Sequence, residues 1–158
     1  MLEESAAPPA GSVLEVETVV VGFDGSDCAQ RALAAAREVV SDAGTVHVVT
    51  AYNAPSNREI LQAYASVPME FTARIDLVDL QRRQLAEAVE YLARSGATVK
   101  DHLVDDDPAS AILKVAEDFD ADMIVVGSRG MGRISQVLRG SVSTKIAHHS
   151  PVNFMVIH

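Results

Sequence analysis

A glycine-rich stretch near the C-terminus contains the residue types that point most directly to a chemical role. It runs GSRGMGRISQVLRGS from Gly127 to Ser141, with the spacing Gly127, two residues, Gly130, nine residues, Gly140 and Ser141. Glycines let the backbone approach a ligand closely and turn its N–H groups toward it. Gly140 and Ser141 stand at the predicted start of a helix, where the unpaired N–H groups favour an anion. The pattern is typical of a phosphate-binding loop.

The charge around this stretch favours a local phosphate site in a protein that is otherwise acidic. The formal net charge is −9, yet no Asp or Glu follows Gly127, whereas Arg129, Arg133, Arg139 and Lys145 do. A pI near 4.9 argues against bulk attraction to nucleic acid or to anionic membrane surfaces. We therefore expect neither nucleic acid nor a membrane as a partner.

Two common phosphate motifs do not match the stretch. The P-loop pattern GxxxxGK[ST] is absent, and the glycines fall in the order GxxGxG instead of the GxGxxG of dinucleotide folds. A flexible surface linker stays open as the alternative interpretation, because glycine and serine also mark turns. No Ser–His–Asp set or carboxylate pair is recognisable at the loop, so the sequence predicts no catalytic residue.

Length and composition predict a single domain. The chain has 158 residues, 48% of them hydrophobic, which is enough for a core without disulfides or a structural metal. Residues 1–17, rich in Pro, Ala, Glu and Ser, are predicted to be a flexible tail, and 18–158 the domain. Cys28 is the single cysteine, and neither a signal peptide nor a membrane span is recognisable. The expected location is the cytoplasm.

Short apolar runs alternate with helical patterns along the domain. The strands are predicted at Thr18–Asp24, Thr45–Tyr52, Thr98–Val104, Ala121–Val126 and Pro151–His158. The helices are predicted after Ser26, up to about Ser95, after Asp107 and from Ser143 to His149. Such alternation predicts an α/β fold with an open, mostly parallel five-stranded sheet and helices on both faces.

Cap and stop residues define the helix ends in this prediction. Ser26 is expected to cap the first helix and Gly44 to end it. Asp107 and Pro108 are expected to open the third helix. The predicted buried face of that helix is Ala109, Ile112, Leu113, Ala116 and Phe119.

Three segments resemble the universal stress protein family. They are VVVGFDGS near the start, DDDPASAILKVAEDFDADMIVVGSRGMG in the second half, and GSVSTKIAHHSPVNFMVIH at the end. The glycine spacing of the loop looks like that family's ATP-binding signature, and the resemblance covers residues 18–158. It implies a Rossmann-like sheet of order 3-2-1-4-5 and a homodimer formed through the last strand, 152–157.

The implied strand order locates a binding crevice. Winding reverses between the first and fourth strands, and open α/β sheets bind ligands at such a reversal. Asp24 would face Gly127 there and bind a ribose hydroxyl or an adenine edge, although it could instead cap the first helix. The resemblance implies that backbone groups of Ala51 meet adenine. The other residues expected at the nucleotide, mostly around its phosphates, are Gly127, Arg129, Gly130, Gly140, Ser141, Val142 and Ser143.

An acidic run lies beside this predicted crevice. Asp105, Asp106 and Asp107 have oxygens that suit a divalent cation, but a helix cap in a solvated loop explains them more simply. The sequence therefore predicts no metal ligands in the protein. Many relatives have glycine at the position of Asp106, and a carboxylate near phosphates would weaken ATP binding or call for a metal.

Three functions follow as expectations. The first is a stress-response protein that binds ATP with Mg²⁺, is not an enzyme, and hydrolyses ATP slowly at most. The second is a dimeric signalling or interaction protein that binds no nucleotide or binds cyclic AMP. The third is a slow ATPase or phosphate-transferring enzyme with Asp24 or an aspartate of 105–107 as base. For the first, bulky replacements of Gly127 or Gly140 are expected to abolish nucleotide binding and leave the fold intact.

Overall fold

The computed structural model describes residues 15–52, 69–94, 96–128 and 141–158, and for residues 69–77 the backbone alone. It contains one sheet in the order β3-β2-β1-β4-β5, and every neighbouring pair of strands is parallel. The strands are β1 Val16–Gly22, β2 Val40–Tyr52, β3 Thr98–Asp105, β4 Met123–Gly127 and β5 Asn153–Ile157. The predicted fold class and strand order are confirmed.

The first strand begins two residues before its predicted start. Val16 and Glu17 belong to β1, within the stretch that the sequence assigned to the tail. A carboxylate oxygen of Asp122 accepts hydrogen bonds from the N–H groups of Glu17, at 2.9 Å, and Thr18, at 2.8 Å. This side chain satisfies the backbone where the strand starts, a contact between positions too far apart for a local pattern to reveal.

Four helices are described, and two of them begin at the N-cap that the sequence predicts. The four are α1 Asp27–Val39, α2 Met69–Ala93, α3 Pro108–Asp118 and α4 Ser141–His149. The side chain of Ser26 accepts from the N–H of Ala29, and that of Asp107 from the N–H of Ser110. Both predicted N-caps are therefore confirmed. Over the described ranges, the chain has no helix with the length and apolar character that crossing a membrane requires.

The predicted end of the first helix is wrong. The helix ends at Val39, and Val40 already has an extended backbone with φ −71° and ψ 141°. Gly44 instead lies inside β2, where an added Cβ would be 2.6 Å from the carbonyl oxygen of Glu17. This glycine is needed because β1 passes close to it. In the sequence, a glycine needed for such a close approach cannot be distinguished from one that ends a helix.

The core forms two layers, one on each face of the sheet. The layer under α1 and α2 contains Val19, Val21, Leu33, Val46, Val48, Leu85, Leu92 and Val125. The layer under α3 and α4 contains Val20, Val49, Ile112, Val115, Ile124, Val126 and Ile146. Alternate residues of β1 enter opposite layers, and Val19, Val20 and Val21 are all fully buried. Burial on both faces explains why this strand is a continuous apolar run.

Phe119 does not belong to the buried face of α3 as predicted. The helix ends one residue earlier, and the Phe119 side chain stays 46% exposed. Its ring packs beside the imidazoles of His47 and His102, with ring centroids 4.3 Å and 5.2 Å away. Ala109, Ile112 and Ala116 are buried as expected, and Leu113 is half-buried.

Candidate functional site

The carboxyl ends of β1 and β4 lie side by side at the centre of the sheet. Val21 pairs with Val125, so Asp24 follows β1 at the same edge of the sheet at which Gly127 ends β4. The connections leave this point toward opposite sides of the sheet, because β2 flanks β1 on one side and β4 on the other. Open parallel sheets bind ligands outside such a reversal.

Asp24 supports the turn between β1 and α1. Its Oδ1 accepts a hydrogen bond of 3.0 Å from the N–H of Ser26, and Ser26 itself is the N-cap of the helix. The alternative that Asp24 caps α1 is therefore wrong. Gly25, between them, has φ +80°, a conformation in which other residues are strained. The turn holds a half-buried carboxylate at the carboxyl edge of the sheet, where the crevice is predicted.

The backbone of Ala51 is directed toward the same crevice. The N–H of Phe23 donates to the carbonyl oxygen of Val49 at 2.8 Å, so the backbone polar groups of Val49 point toward β1. Backbone groups of alternate strand residues point the same way, so those of Ala51 also point toward β1. They lie beyond Gly22 and Val49, the last residues that pair between β1 and β2. This direction is compatible with the adenine contact that the resemblance implies.

Gly127 is required by the fold itself. A Cβ at this position would lie 2.8 Å from Cβ of Cys28 and 2.9 Å from its carbonyl carbon, in the first turn of α1. The next residue, Ser128, is buried and its N–H donates to the carbonyl oxygen of Ile157 at 2.7 Å. The expectation that a bulky residue replaces Gly127 without disturbing the fold is therefore wrong, since a helix backbone occupies the space.

The first turn of α4 presents the second group of predicted donors. The helix begins at Ser141, where the glycine-rich stretch ends, and Ser141 is exposed. Val142 is half-buried against the core, and Ser143 is 5% exposed. Helix starts bind anions because the first N–H groups of a helix have no acceptor within the helix itself. Arg129, Gly130 and Gly140, which complete the predicted site, lie outside the described residues.

A lysine of α4 is bonded to the cap of α3. Nζ of Lys145 lies 2.8 Å from Oδ2 of Asp107 and 3.0 Å from Oγ of Ser110. The hydrogen bond from Lys145, and next the one from the Ser110 N–H, holds the pKa of the Asp107 carboxyl below its ordinary value. Lys145 was expected to add to a cationic C-terminal segment, but its charge is balanced by Asp107.

Asp106 also turns toward its own loop. Its Oδ1 accepts a hydrogen bond of 2.7 Å from the N–H of Asp107, while the side chain stays exposed. Two of the three aspartates therefore satisfy backbone groups around the start of α3. Within the part of the chain that the structure describes, no three His, Cys, Asp or Glu side chains come together as a metal site.

Known proteins resemble this chain along nearly all of its length. Residues 15–158 match the model of the universal stress protein family. A universal stress protein of Thermus aquaticus, encoded beside a sulfhydrylase gene, is 32% identical over 143 residues, which are 89% of this chain and 98% of that protein.

Solved structures share the fold. A universal stress protein from Lactobacillus plantarum superposes with a TM-score of 0.71 at 20% identity, covering 91% of this chain and 99% of that one. Another, solved in complex with cAMP, has a TM-score of 0.63 at 29% identity, covering 91% and 98%. With its sheet order and the family match over residues 15–158, this chain belongs to the universal stress protein family.

Proposed function

We propose that this protein binds an adenine nucleotide at the carboxyl ends of β1 and β4. The observation that carries the proposal is the sheet order, because its reversal puts Asp24, the backbone of Ala51 and the end of β4 at one edge of the sheet. A carboxylate suits ribose hydroxyls, strand-end backbone groups suit an adenine edge, and the first turn of α4 suits phosphates. These three kinds of group correspond to the three parts of a nucleotide.

The proposed ligand is ATP with Mg²⁺. The glycine spacing from Gly127 to Ser141 supports it, since it adds backbone donors for several phosphates. Mg²⁺ supplies charge neutralisation to the phosphates, and it is commonly bound by them with few protein ligands. We therefore expect the nucleotide phosphates to carry the ion.

Cyclic AMP is the second candidate ligand. One relative, 29% identical to this chain, has been solved in complex with cAMP. The aspartates at 105–107 favour the same candidate, because cAMP has a single phosphate charge and is repelled less by carboxylates than ATP. Direct comparison of the two nucleotides therefore decides between an energy-state binder and a second-messenger binder.

We propose a binding role instead of a catalytic one. The Asp24 carboxylate is engaged in the α1 turn, and the Asp107 carboxylate in a helix cap and an ion pair. Groups committed in this way are poorly placed to activate water or a substrate hydroxyl, so hydrolysis is expected to be slow at most. The protein would then report the nucleotide state of the cell to a partner during stress.

The proposed function is tested first by identifying what the purified protein carries. Freshly purified protein is denatured, and the released small molecules are identified by chromatography and mass spectrometry. Stoichiometric ATP or ADP supports the leading proposal, and cAMP supports the second. If nothing is released, calorimetric titration with ATP and Mg²⁺, and separately with cAMP, follows. No binding of either nucleotide at millimolar concentration would reject the nucleotide site.

A further inference from the structure

Three side chains fasten the start of α3 to α4. Oδ2 of Asp107 accepts from the N–H and the hydroxyl of Ser110, both at 3.1 Å, and from Nζ of Lys145 at 2.8 Å. Nζ of Lys145 also donates to Oγ of Ser110 at 3.0 Å. Asp107 and Lys145 are 38 positions apart, so this Asp107–Lys145 pair is a tertiary contact between two helices.

The pair lies close to the proposed phosphate donors. Lys145 follows Ser141 by four residues on α4, which is about 6 Å along a helix. β3 ends at Asp105, and Asp106 and Asp107 follow it directly. The turn therefore brings three carboxylates to the carboxyl edge of the sheet, the edge that the nucleotide would occupy.

Charge balance at this edge is unfavourable for phosphates unless the aspartates are compensated. Two unit charges repel each other by about 332/(εr) kcal/mol, so each carboxylate opposes every phosphate charge near it. Of the four cations that follow Gly127 in the sequence, Lys145 is the one inside the described residues. Its ammonium group is paired with the Asp107 carboxylate and also donates to Oγ of Ser110.

We propose that Lys145 is a positioning residue that shields the nucleotide phosphates from Asp107 and holds α4 against the start of α3. This inference rests on the proposed nucleotide site and deepens it. The shield matters in proportion to the phosphate charge of the ligand. It is indifferent to adenosine, which has no phosphate.

A direct contact between Lys145 and the phosphates is the competing explanation, and the two differ in a measurable way. Asp107→Asn removes a carboxylate and leaves the lysine unpaired, so it is expected to tighten ATP binding under both explanations. If Lys145 bound phosphate directly, however, Lys145→Met would stay weak whatever stands at 107. If Lys145 shields Asp107, removal of both charges restores binding. Asparagine is an equally good N-cap, so Asp107→Asn keeps the start of α3 capped.

The experiment is calorimetric titration of four forms of the full chain, each with adenosine, AMP and ATP. The forms are the unchanged protein, Lys145→Met, Asp107→Asn and the double variant. Lys114→Met is the matched control, because Lys114 is an exposed lysine of α3 and its loss changes the net charge equally. Urea unfolding of every form separates loss of stability from loss of affinity.

The shield predicts a graded result. Lys145→Met is expected to weaken ATP about tenfold, AMP about two- to threefold and adenosine not at all, since one unpaired charge acts on each phosphate charge. The double variant is expected to bind each ligand within about twofold of the unchanged protein. Lys114→Met is expected to have the affinities of the unchanged protein for all three ligands.

Three outcomes would overturn the inference. The double variant could stay as weak as Lys145→Met, which assigns the lysine to direct phosphate contact. Lys145→Met could weaken adenosine binding as much as ATP binding, which assigns the lysine to the fold alone. Lys145→Met could bind ATP like the unchanged protein. By contrast, an unchanged protein that binds no nucleotide rejects the proposed function itself, so the two failures are distinguishable.

Discussion

Nδ1 of His47 on β2 lies 2.8 Å from Nε2 of His102 on β3, and the two imidazoles join the edge strand to the rest of the sheet. His47 is 3% exposed, and Phe119 packs beside both rings. Burial, the neighbouring His102 and then Lys100 lower the pKa of His47 to about 4. Burial also lowers the pKa of His102, which Asp101 partly opposes. At 2.8 Å the contact requires one ring to donate and the other to accept, so at least one of the two imidazoles is neutral.

This contact predicts that acid weakens the fold in a defined pH range. His47 stays neutral in the folded chain down to about pH 4, while in the unfolded chain it takes up a proton below about pH 6.5. The unfolded state binds more protons between these values. The free energy of unfolding is therefore unaffected by His47 above pH 6.5 and falls as the pH drops toward 4. The slope contributed by one such proton is at most about 1.4 kcal/mol per pH unit.

Urea unfolding at steps from pH 7.5 to pH 4 measures this slope. His47→Gln keeps a hydrogen-bonding amide but cannot be protonated, so its stability should change less over the same range. His149→Gln, at the exposed end of α4, is the matched control and should keep the slope of the unchanged chain. Equal slopes for His47→Gln and the unchanged chain would contradict the prediction.

Gly127→Ala is predicted to destabilise the fold by about 1–3 kcal/mol, the usual cost of an atom forced into filled space. The new Cβ would lie 2.9 Å from the carbonyl carbon of Cys28, a backbone atom that cannot swing away. The midpoint of urea unfolding measures the effect. An unchanged midpoint of urea unfolding would show that α1 shifts at no cost to make room for the new Cβ. The fold would then not require Gly127, and its proposed role would be at the ligand alone.

The sequence predicted the parts of the fold that depend on local patterns. Ser26 and Asp107 were identified as caps because a cap is decided within four residues of chain. The apolar run of β1 predicted a strand buried on both faces, because consecutive apolar residues indicate this directly in the local sequence. The sheet order came from the family resemblance, which carries information that periodicity does not.

The errors occurred where two distant segments meet. Gly44 and Gly127 are glycines because another segment's backbone passes within 3 Å of their missing side chains, and nothing adjacent to them in sequence reports that approach. The pairs His47–His102 and Asp107–Lys145 are likewise contacts across 55 and 38 positions. A histidine in an apolar strand and a lysine in a short helix give no local sign of such partners.

Asp24→Asn is predicted to weaken ATP binding about tenfold or more, because a hydrogen bond to a charged group contributes about 1.5–3 kcal/mol. The amide oxygen can still accept from the N–H of Ser26, so the turn before α1 should persist. Asp27→Asn is the matched control, since Asp27 is an exposed carboxylate in the first turn of the same helix. Calorimetric titration of both variants decides. Equal affinities for the two would remove Asp24 from the proposed site.

The chain is predicted to form a two-fold homodimer through β5. Of the described strands, only β4 lies beside β5, so the outer edge of β5 presents backbone groups that a second strand can pair. Phe154, on this strand, is 41% exposed, and Val156 and Ile157 are half-buried. An apolar edge of this kind is normally covered, and an antiparallel partner strand covers it in a closed two-fold assembly.

Sedimentation at micromolar concentration tests the dimer, with a mass near twice 16.8 kDa expected for the unchanged chain. Phe154→Glu is expected to give the monomer mass, because the interface would have to desolvate a carboxylate from each copy. Leu80→Glu is the matched control, since Leu80 is 48% exposed on α2, away from β5. A dimer that survives Phe154→Glu but dissociates with Leu80→Glu would move the interface to α2, and a monomeric unchanged chain would remove it.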